Sequence, residues 1–310
     1  MGALKVHVEI PNLLSGELKI DKFAVLMGLP MSGKTTTLRL IFDVLYASQE
    51  GVVPLEATAI ADGFLDSRGE MRVVVEHEGI KAEIVCSKQE EEKASCVLND
   101  GKIPYNAVFF PAEMEYILKY NYAPVYYESY NRFYTLINEL RAGREKKGYG
   151  IRIPAKFFER ELLIEHFQLY EKVNGKTIRL ELSSSTSVKL SFLISVVKNG
   201  LLDDPQTTLL LLDDPQTNMH PEYELKLAYL LGLLAKKGYK VLLTTHDMDF
   251  LSMLSCIYGV PKALGLDERF DITPSLYLVR NGTIEEYDIR SSAIPTYTNT
   301  LVDLIFKYCE

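Results

Sequence analysis

The sequence predicts an α/β fold with a mostly parallel central sheet, on three observations. An apolar run, Lys22 to Met27 (KFAVLM), passes through a glycine-containing turn into a segment with apolar residues at helical spacing, Thr36 onward (TTLRLIFDVLYA). Two more apolar runs, Thr208 to Leu212 and Lys240 to Thr244, flank an amphipathic helix pattern over Glu222 to Lys236. Strands that alternate with helices pair in parallel, because each crossover carries the chain back to the same end of the sheet. The third observation is bulk: 310 residues with 47% hydrophobic content can bury a core without staples.

Taken in order, residues 4 to 27 read as three short strands (KVHVEI, ELKIDK, FAVLM), broken at Pro11-Asn12 and at a tight polar turn. From Met71 to Phe110 the alternation in MRVVVEHEG, IKAEIVCS, SCVLNDGK and NAVFFP predicts antiparallel strands, with turns near Gly79 and at residues 99–101. Residues 111–167 are tyrosine-rich and read as a helical insertion, with Pro124 as a helix start. Regular strands return as a hairpin of FQLYEK and KTIRLEL around Asn174-Gly175, whose Asn-Gly pair suits a type I′ turn. A helix is expected over Ser187 to Lys198 and a last hairpin over Ser275 to Ile289, around Asn281-Gly282. One heptapeptide, LLDDPQT, occurs twice, at Leu201 to Thr207 and at Leu211 to Thr217. Only the second follows a strand, so the first is read as a loop without chemistry.

The turn after the first apolar run is the most specific feature. Gly28, Leu29, Pro30, Met31, Ser32, Gly33, Lys34 and Thr35 fit the phosphate-binding pattern Gly-x4-Gly-Lys-Thr, between the strand and the helix it requires. Backbone N–H groups there, with Thr36 beside them, can cradle phosphate oxygens at a helix N-terminus. Lys34 is expected on the β- and γ-phosphates, and the Thr35 hydroxyl on Mg2+. The second half of such a site is Thr208 to Pro215 (TLLLLDDP), where a buried strand ends in two acids. Asp213 is the expected Mg2+ partner, and Asp214 is expected to orient or deprotonate water. A third strand, Val241 to Thr245, ends in His246, which can sense a γ-phosphate. A fourth element, Leu182-Ser183-Ser184-Ser185-Thr186-Ser187, precedes a helix and is in the first instance a capping segment.

In this order and spacing, the four elements resemble the ABC-type ATPases, in particular their RecF-like, SMC-related branch, which includes ATPases of overcoming-lysogenization-defect proteins and phage-defence systems. KTIRLELSSS, Phe109-Phe110-Pro111-Ala112-Glu113 and Asn218-Met219-His220-Pro221 are also similar to that branch. The resemblance implies a single head domain over 1–310, carrying the 111–167 insertion as a helical lobe. It implies ATP and Mg2+ as ligands, and a homodimer formed on ATP in which Ser183, with Ser184 and Ser185, meets the γ-phosphate held by the other subunit. Slow hydrolysis would act as a switch on DNA or on a separate effector or nuclease chain. The chain departs from the pattern where Ser185 replaces the signature glycine and where Asp214 replaces the longer glutamate. No clear Q-loop glutamine is present, and Glu113 stands nearest its place. A nucleotide-sensing module with little turnover, and the nucleotide-binding subunit of a transporter, are the alternatives.

Charge and cysteines bound the partners. The net charge of -8 argues against a surface that binds nucleic acid everywhere. Residues 141–160 are the exception. Arg141, Arg144, Lys146, Lys147, Arg152, Lys156 and Arg160 stand there against Glu145 and Glu159, with Tyr149, Phe157 and Phe158 interleaved, a composition that suits a DNA contact. The tyrosines at 116, 120, 126, 130 and 134 recur at helical spacing and suggest a packed helix face. Cys86, Cys96, Cys256 and Cys309 are too dispersed for metal-ligand pairs or a disulfide framework, which suggests a reduced, cytoplasmic setting; Cys86 and Cys96 could pair across strands, but structural thiols are the expected state. No apolar stretch is long enough to span a bilayer, so no membrane role is expected.

Overall fold

The computed structural model describes residues 2–290 apart from 67–68, 89–92, 100, 121–127, 147–148, 155–156 and 166–167. Its elements are β1 (Leu4–Ile10), β2 (Leu14–Ile20), β3 (Phe23–Gly28), α1 (Lys34–Glu50), α2 (Leu55–Phe64), β4 (Glu70–His77), β5 (Ile80–Ser87), β6 (Ser95–Asn99) and β7 (Asn106–Phe110). Then come α3 (Met114–Tyr120), α4 (Glu128–Arg141), β8 (Arg160–Glu165), β9 (Gln168–Val173), β10 (Lys176–Arg179), α5 (Ser185–Lys198), β11 (Thr208–Leu212) and α6 (Pro221–Lys237). β12 (Lys240–Thr245), α7 (Met248–Ser255), α8 (Val260–Ala263), β13 (Ser275–Arg280) and β14 (Thr283–Tyr287) complete the order.

One sheet of 11 strands runs β6-β5-β4-β1-β2-β14-β13-β3-β12-β11-β7. Strands β7, β11, β12, β3 and β13 are mutually parallel, whereas β2, β1, β4, β5 and β6 form an antiparallel wing. The two halves are read directly from burial. β3 is buried at every residue, as a strand covered on both faces must be, and β1 alternates as a strand covered on one. α1 packs against β7, β4 and β5, and α6 against β12 and α7. Leu38, Ile41, Phe42, Val44 and Leu45 of α1 are all buried, each contributing roughly 1.5–3 kcal/mol.

The structure departs from the sequence expectations in three places. β7 was expected in the antiparallel set, yet it pairs in parallel with β11, Phe110 opposite Leu212. Its apolar run is a core strand, and pairing direction depends on chain path rather than on local alternation. The 111–167 insertion is not helical throughout: α3 and α4 are followed by β8, which joins β9 and β10 in a separate three-stranded antiparallel sheet. Pro124 lies outside the described residues. Cys86 and Cys96 are not free thiols but a disulfide, since the β5–β6 register sets them directly opposite with Cα atoms 4.0 Å apart. The cysteines therefore no longer argue for a reducing setting.

Candidate functional site

The parallel strands β3, β11 and β12 end side by side, and the sequence motifs sit at their C-terminal ends. Gly28 is the last residue of β3. A Cβ on it would lie 2.8 Å from Ser32 Oγ and 3.0 Å from Val279 Cβ, so only glycine lets β3 turn beside β13. Gly33 takes φ 92° and Met31 φ 64°, left-handed conformations that curl the loop; glycine adopts this at little cost, whereas methionine does so under strain. Gly33 offers α1 no side-chain cap, so the N–H groups of its first turn remain for an anion. Ser32 Oγ is buried without a partner in the same loop. These are features that a bound phosphate would satisfy.

Lys34 is 4% exposed, and its Nζ donates to the carbonyls of Gly28 (2.9 Å) and Leu29 (2.8 Å). Burial pushes its pKa down, opposed by Asp214 and Asp213. An ammonium held by neutral carbonyls and facing two carboxylates is suited to exchange those carbonyls for phosphate oxygens. Thr35 Oγ1 donates to both oxygens of Asp213, at 2.8 and 2.9 Å. A hydroxyl and a carboxylate converging in this way are hard oxygen donors, the chemistry Mg2+ prefers. Among the described residues, no group of three or more His, Cys, Asp or Glu could hold a metal.

Asp213 is buried, and burial raises its pKa while hydroxyl donors from Thr244 and Thr35 oppose the rise. Thr244 was not anticipated from the sequence. Its Oγ1 donates to Asp213 Oδ1 at 2.8 Å and accepts from the Asp214 N–H at 2.9 Å, so one hydroxyl on β12 sets both acids at the end of β11. Asp214 has φ 37°, a strained conformation for a residue with a side chain. Its Oδ1 lies 3.1 Å from His246 Nδ1 and accepts from Gln216 Nε2 at 3.3 Å. His246 is therefore brought to the second acid. The structure thus assembles Lys34, Thr35, Asp213, Asp214 and His246 at one place.

It does not bring the serine segment there. Ser183 is buried, with its N–H donating to the Leu180 carbonyl and its Oγ 3.5 Å from the Arg179 carbonyl. Ser184 is the N-cap of α5, its Oγ accepting from the Ser187 N–H, so the capping role is realised. Ser185 opens α5 without a positive φ, and replacing the glycine there carries no backbone penalty.

Two other networks escaped sequence reasoning. Lys189 of α5 is fully buried and spends its three donors on Glu115 (3.1 Å), the Ala112 carbonyl (2.8 Å) and the Thr217 carbonyl (3.0 Å). Thr186 Oγ1 donates to the Asn218 carbonyl at 2.8 Å, so the start of α5 is fastened to the loop after Asp213-Asp214. On α1, Arg39 donates to Tyr130 Oη and pairs with Glu56, and Tyr130 in turn donates to Glu113 at 2.6 Å. The residue nearest the Q-loop position is thereby tied to the P-loop helix.

The first LLDDPQT copy is structural: Asp203 accepts from Arg132 (3.1 Å) and Lys146 (3.3 Å), and Asp204 caps the turn over residues 205–207. Much of the 141–160 basic run is neutralised within the chain. Arg144 and Lys146 face Glu139, Arg160 pairs with Glu171, and Phe157 is buried against Tyr229. Lys147 and Lys156 lie outside the described residues. The tyrosine series splits, with Tyr130 buried and Tyr116 and Tyr120 exposed and stacked on each other; Tyr126 is outside the described residues.

Residues 115–252, a little under half the chain, match a family described as "AAA domain, putative AbiEii toxin, Type IV TA system". No curated protein matches the sequence. The fold is similar to the Smc head domain with an extended coiled coil bound to the C-terminal domain of ScpA from Pyrococcus furiosus: TM-score 0.52, 11% identity, covering 100% of both chains. It is also similar to an SmcHead bound to the C-winged helix domain of ScpA, with TM-score 0.51, 13% identity, and 93% of this chain and 97% of that one covered. The recombination mediator protein RecF overlaps at TM-score 0.45 and 14% identity, over 92% of this chain and 98% of that one. The chain thus has the fold of the SMC head domains, and its residues 115–252 match that AAA family.

Proposed function

We propose that the chain binds ATP with Mg2+, dimerises head to head on ATP and hydrolyses it slowly, as a switch on DNA or on a separate effector chain such as a nuclease, in DNA repair or phage defence. The observation that carries the reading is the meeting of Thr35, Asp213 and Thr244 beneath the uncapped N-terminus of α1, with Lys34 held between carbonyls and carboxylates. Phosphates would take the loop N–H groups and Lys34; Mg2+ would take Thr35 and Asp213. The metal, when bound, neutralises charge on the phosphate oxygens. Asp214, with His246 and Gln216 on its Oδ1, is the group placed to orient or accept a proton from water. Its shorter side chain favours slow turnover. Ser183 to Ser185 would serve the partner's nucleotide, since α5 is fastened to the loop behind Asp214 rather than to the chain's own P-loop.

The test pairs phosphate release with light scattering. Lys34→Ala is expected to abolish ATP binding, and Asp214→Asn to trap an ATP-dependent dimer that Ser183→Arg prevents. An unchanged mass with and without ATP in both the native chain and Asp214→Asn would sink the dimer reading, and unaltered ATP affinity in Lys34→Ala would sink the site. A nucleotide-sensing module is the second reading, favoured by the strained backbone of Asp214 and by its commitment to two side-chain partners. ATP binding without phosphate release would select it. Among the described residues no helix is long and apolar enough to cross a membrane.

A further inference from the structure

A cavity of about 530 Å³ lies away from the P-loop, between the C-terminal turns of α3 and α4, strand β9 and the segment that follows β10. Its size is that of a small-molecule site. Buried Leu169 and Leu180 line it. Among the described residues, Lys119, Arg141 and Arg179 line it from three different elements, against one carboxylate, Glu181. The chain as a whole is acidic, with net charge -8, so three cations converging on one concave surface are out of keeping with its composition. A larger cavity of about 620 Å³ on the antiparallel wing is different in kind: its Lys5, Lys81 and Arg72 are engaged by Glu76, Glu70 and Glu83. Among the described residues, Lys119 and Arg179 make no ion pair. Gln168 adds an amide whose Oε1 already accepts from Tyr170, which leaves its N–H groups as donors. Tyr120, 59% exposed and stacked on Tyr116, supplies an aromatic face beside the cations.

We propose that this cavity is a second anion site, taking a phosphorylated ligand of nucleotide size with its phosphates on Lys119 and Arg179 and its ring against Tyr120. The site adjoins the signature segment. Arg179, Leu180 and Glu181 form one wall, and Ser183 is bonded back to the carbonyls of Leu180 and Arg179. A ligand bridging Arg179 to α3 holds that wall, and with it the loop that presents Ser183. Binding therefore restrains the signature segment without touching the P-loop.

The experiment uses the full chain carrying Lys34→Ala, which weakens competition from the P-loop, with inorganic pyrophosphate as the calorimetric probe. Pyrophosphate is expected to bind this protein, and adding Lys119→Ala with Arg179→Ala is expected to weaken it about 100-fold, the loss of two charge-assisted contacts. Arg179→Lys keeps the charge but not the planar fork, and is expected to weaken binding less than Arg179→Ala does. Pyrophosphate should also slow hydrogen exchange at the Ser183 amide. Displacement by AMP identifies a free nucleotide as the source of the phosphate, and displacement by a 5′-phosphorylated trinucleotide identifies a strand end. Absence of pyrophosphate binding in the Lys34→Ala protein, or equal affinity in the variant lacking Lys119 and Arg179, overturns the proposal.

Discussion

Thr244→Val isolates the hydroxyl that sets both acids, because valine keeps the shape and removes the oxygen. The variant loses the bond to Asp213 Oδ1 at 2.8 Å and strands the Asp214 N–H that had donated at 2.9 Å. Thr244 is fully buried, so water is not at hand to replace it. A hydrogen bond to a charged group contributes about 1.5–3 kcal/mol and a stranded buried donor costs about 1–3 kcal/mol, so stability should fall by about 2–4 kcal/mol after partial relaxation. Urea unfolding at pH 7 measures that loss. The functional effect is separable. Asp213 keeps its bond to Thr35 but loses the donor that opposes the rise of its pKa, so Mg2+ affinity in the presence of ATP should drop about 10- to 100-fold, and more steeply at low pH. Thr244→Ser retains the hydroxyl and should restore Mg2+ binding while remaining slightly less stable. The reasoning is refuted if Thr244→Val unfolds within about 0.5 kcal/mol of the native chain and titrates with Mg2+ identically.

Lys189→Met leaves Glu115 buried without its cation and two carbonyls without a donor, so it should lose about 3–5 kcal/mol in urea unfolding. Lys189→Met with Glu115→Leu should recover part of that, and a single-variant loss under about 1 kcal/mol would contradict the picture of a paired interior. Glu224, in the first turn of α6, is held at a pKa of about 7, by burial first and then by Asp247 and Asp249. A carboxyl raised in the fold binds its proton more tightly folded than unfolded. Its ionisation therefore costs nothing below the ordinary pKa of 4.5 and accumulates as pH climbs to about 7. Glu224→Gln should accordingly be about 1 kcal/mol more stable than the native chain at pH 8 and no more stable at pH 4, and parallel stability curves across that range would be the contrary result.

What the sequence revealed and what it hid divide along the range of the interactions. β3, β11, β12 and α1 are local patterns, an apolar run or a helical spacing beside a glycine or an acid, and each was legible within a residue or two. The capping of α5 by Ser184 was likewise visible as a serine run before a helix. β7 was found as a strand but assigned the wrong neighbour, since nothing within five residues tells whether a partner runs parallel. The Cys86–Cys96 bond depends on the β5–β6 register, and Thr244 matters because β12 lies beside β11; both follow from pairing across the sheet. β8 was missed because its alternation, RELLIE, reads equally as one helical turn of mixed polarity. The partners of the basic run were hidden for a related reason: Glu139 and Glu171, which engage Arg144, Lys146 and Arg160, are on α4 and β9, outside its own span.

The position of β13 and β14 in the large sheet bears on how the protein is made. β2 and β3 are separated by two residues in the chain, yet in the sheet the hairpin of β14 and β13 stands between them. During synthesis the N-terminal strands emerge first with a strand-wide gap in the middle, and it stays open until residues 275–287 have left the ribosome. The wing and the strands bearing the nucleotide motifs must therefore wait as two partial sheets, each with an unpaired edge that invites wrong partners. The last hairpin closes both edges at once, placing Val279 beside Gly28 and so supporting the turn of the P-loop. Competence for nucleotide would then be the final event of folding, and a nascent chain halted before Ser275 would carry every nucleotide motif without the strand that braces the first of them.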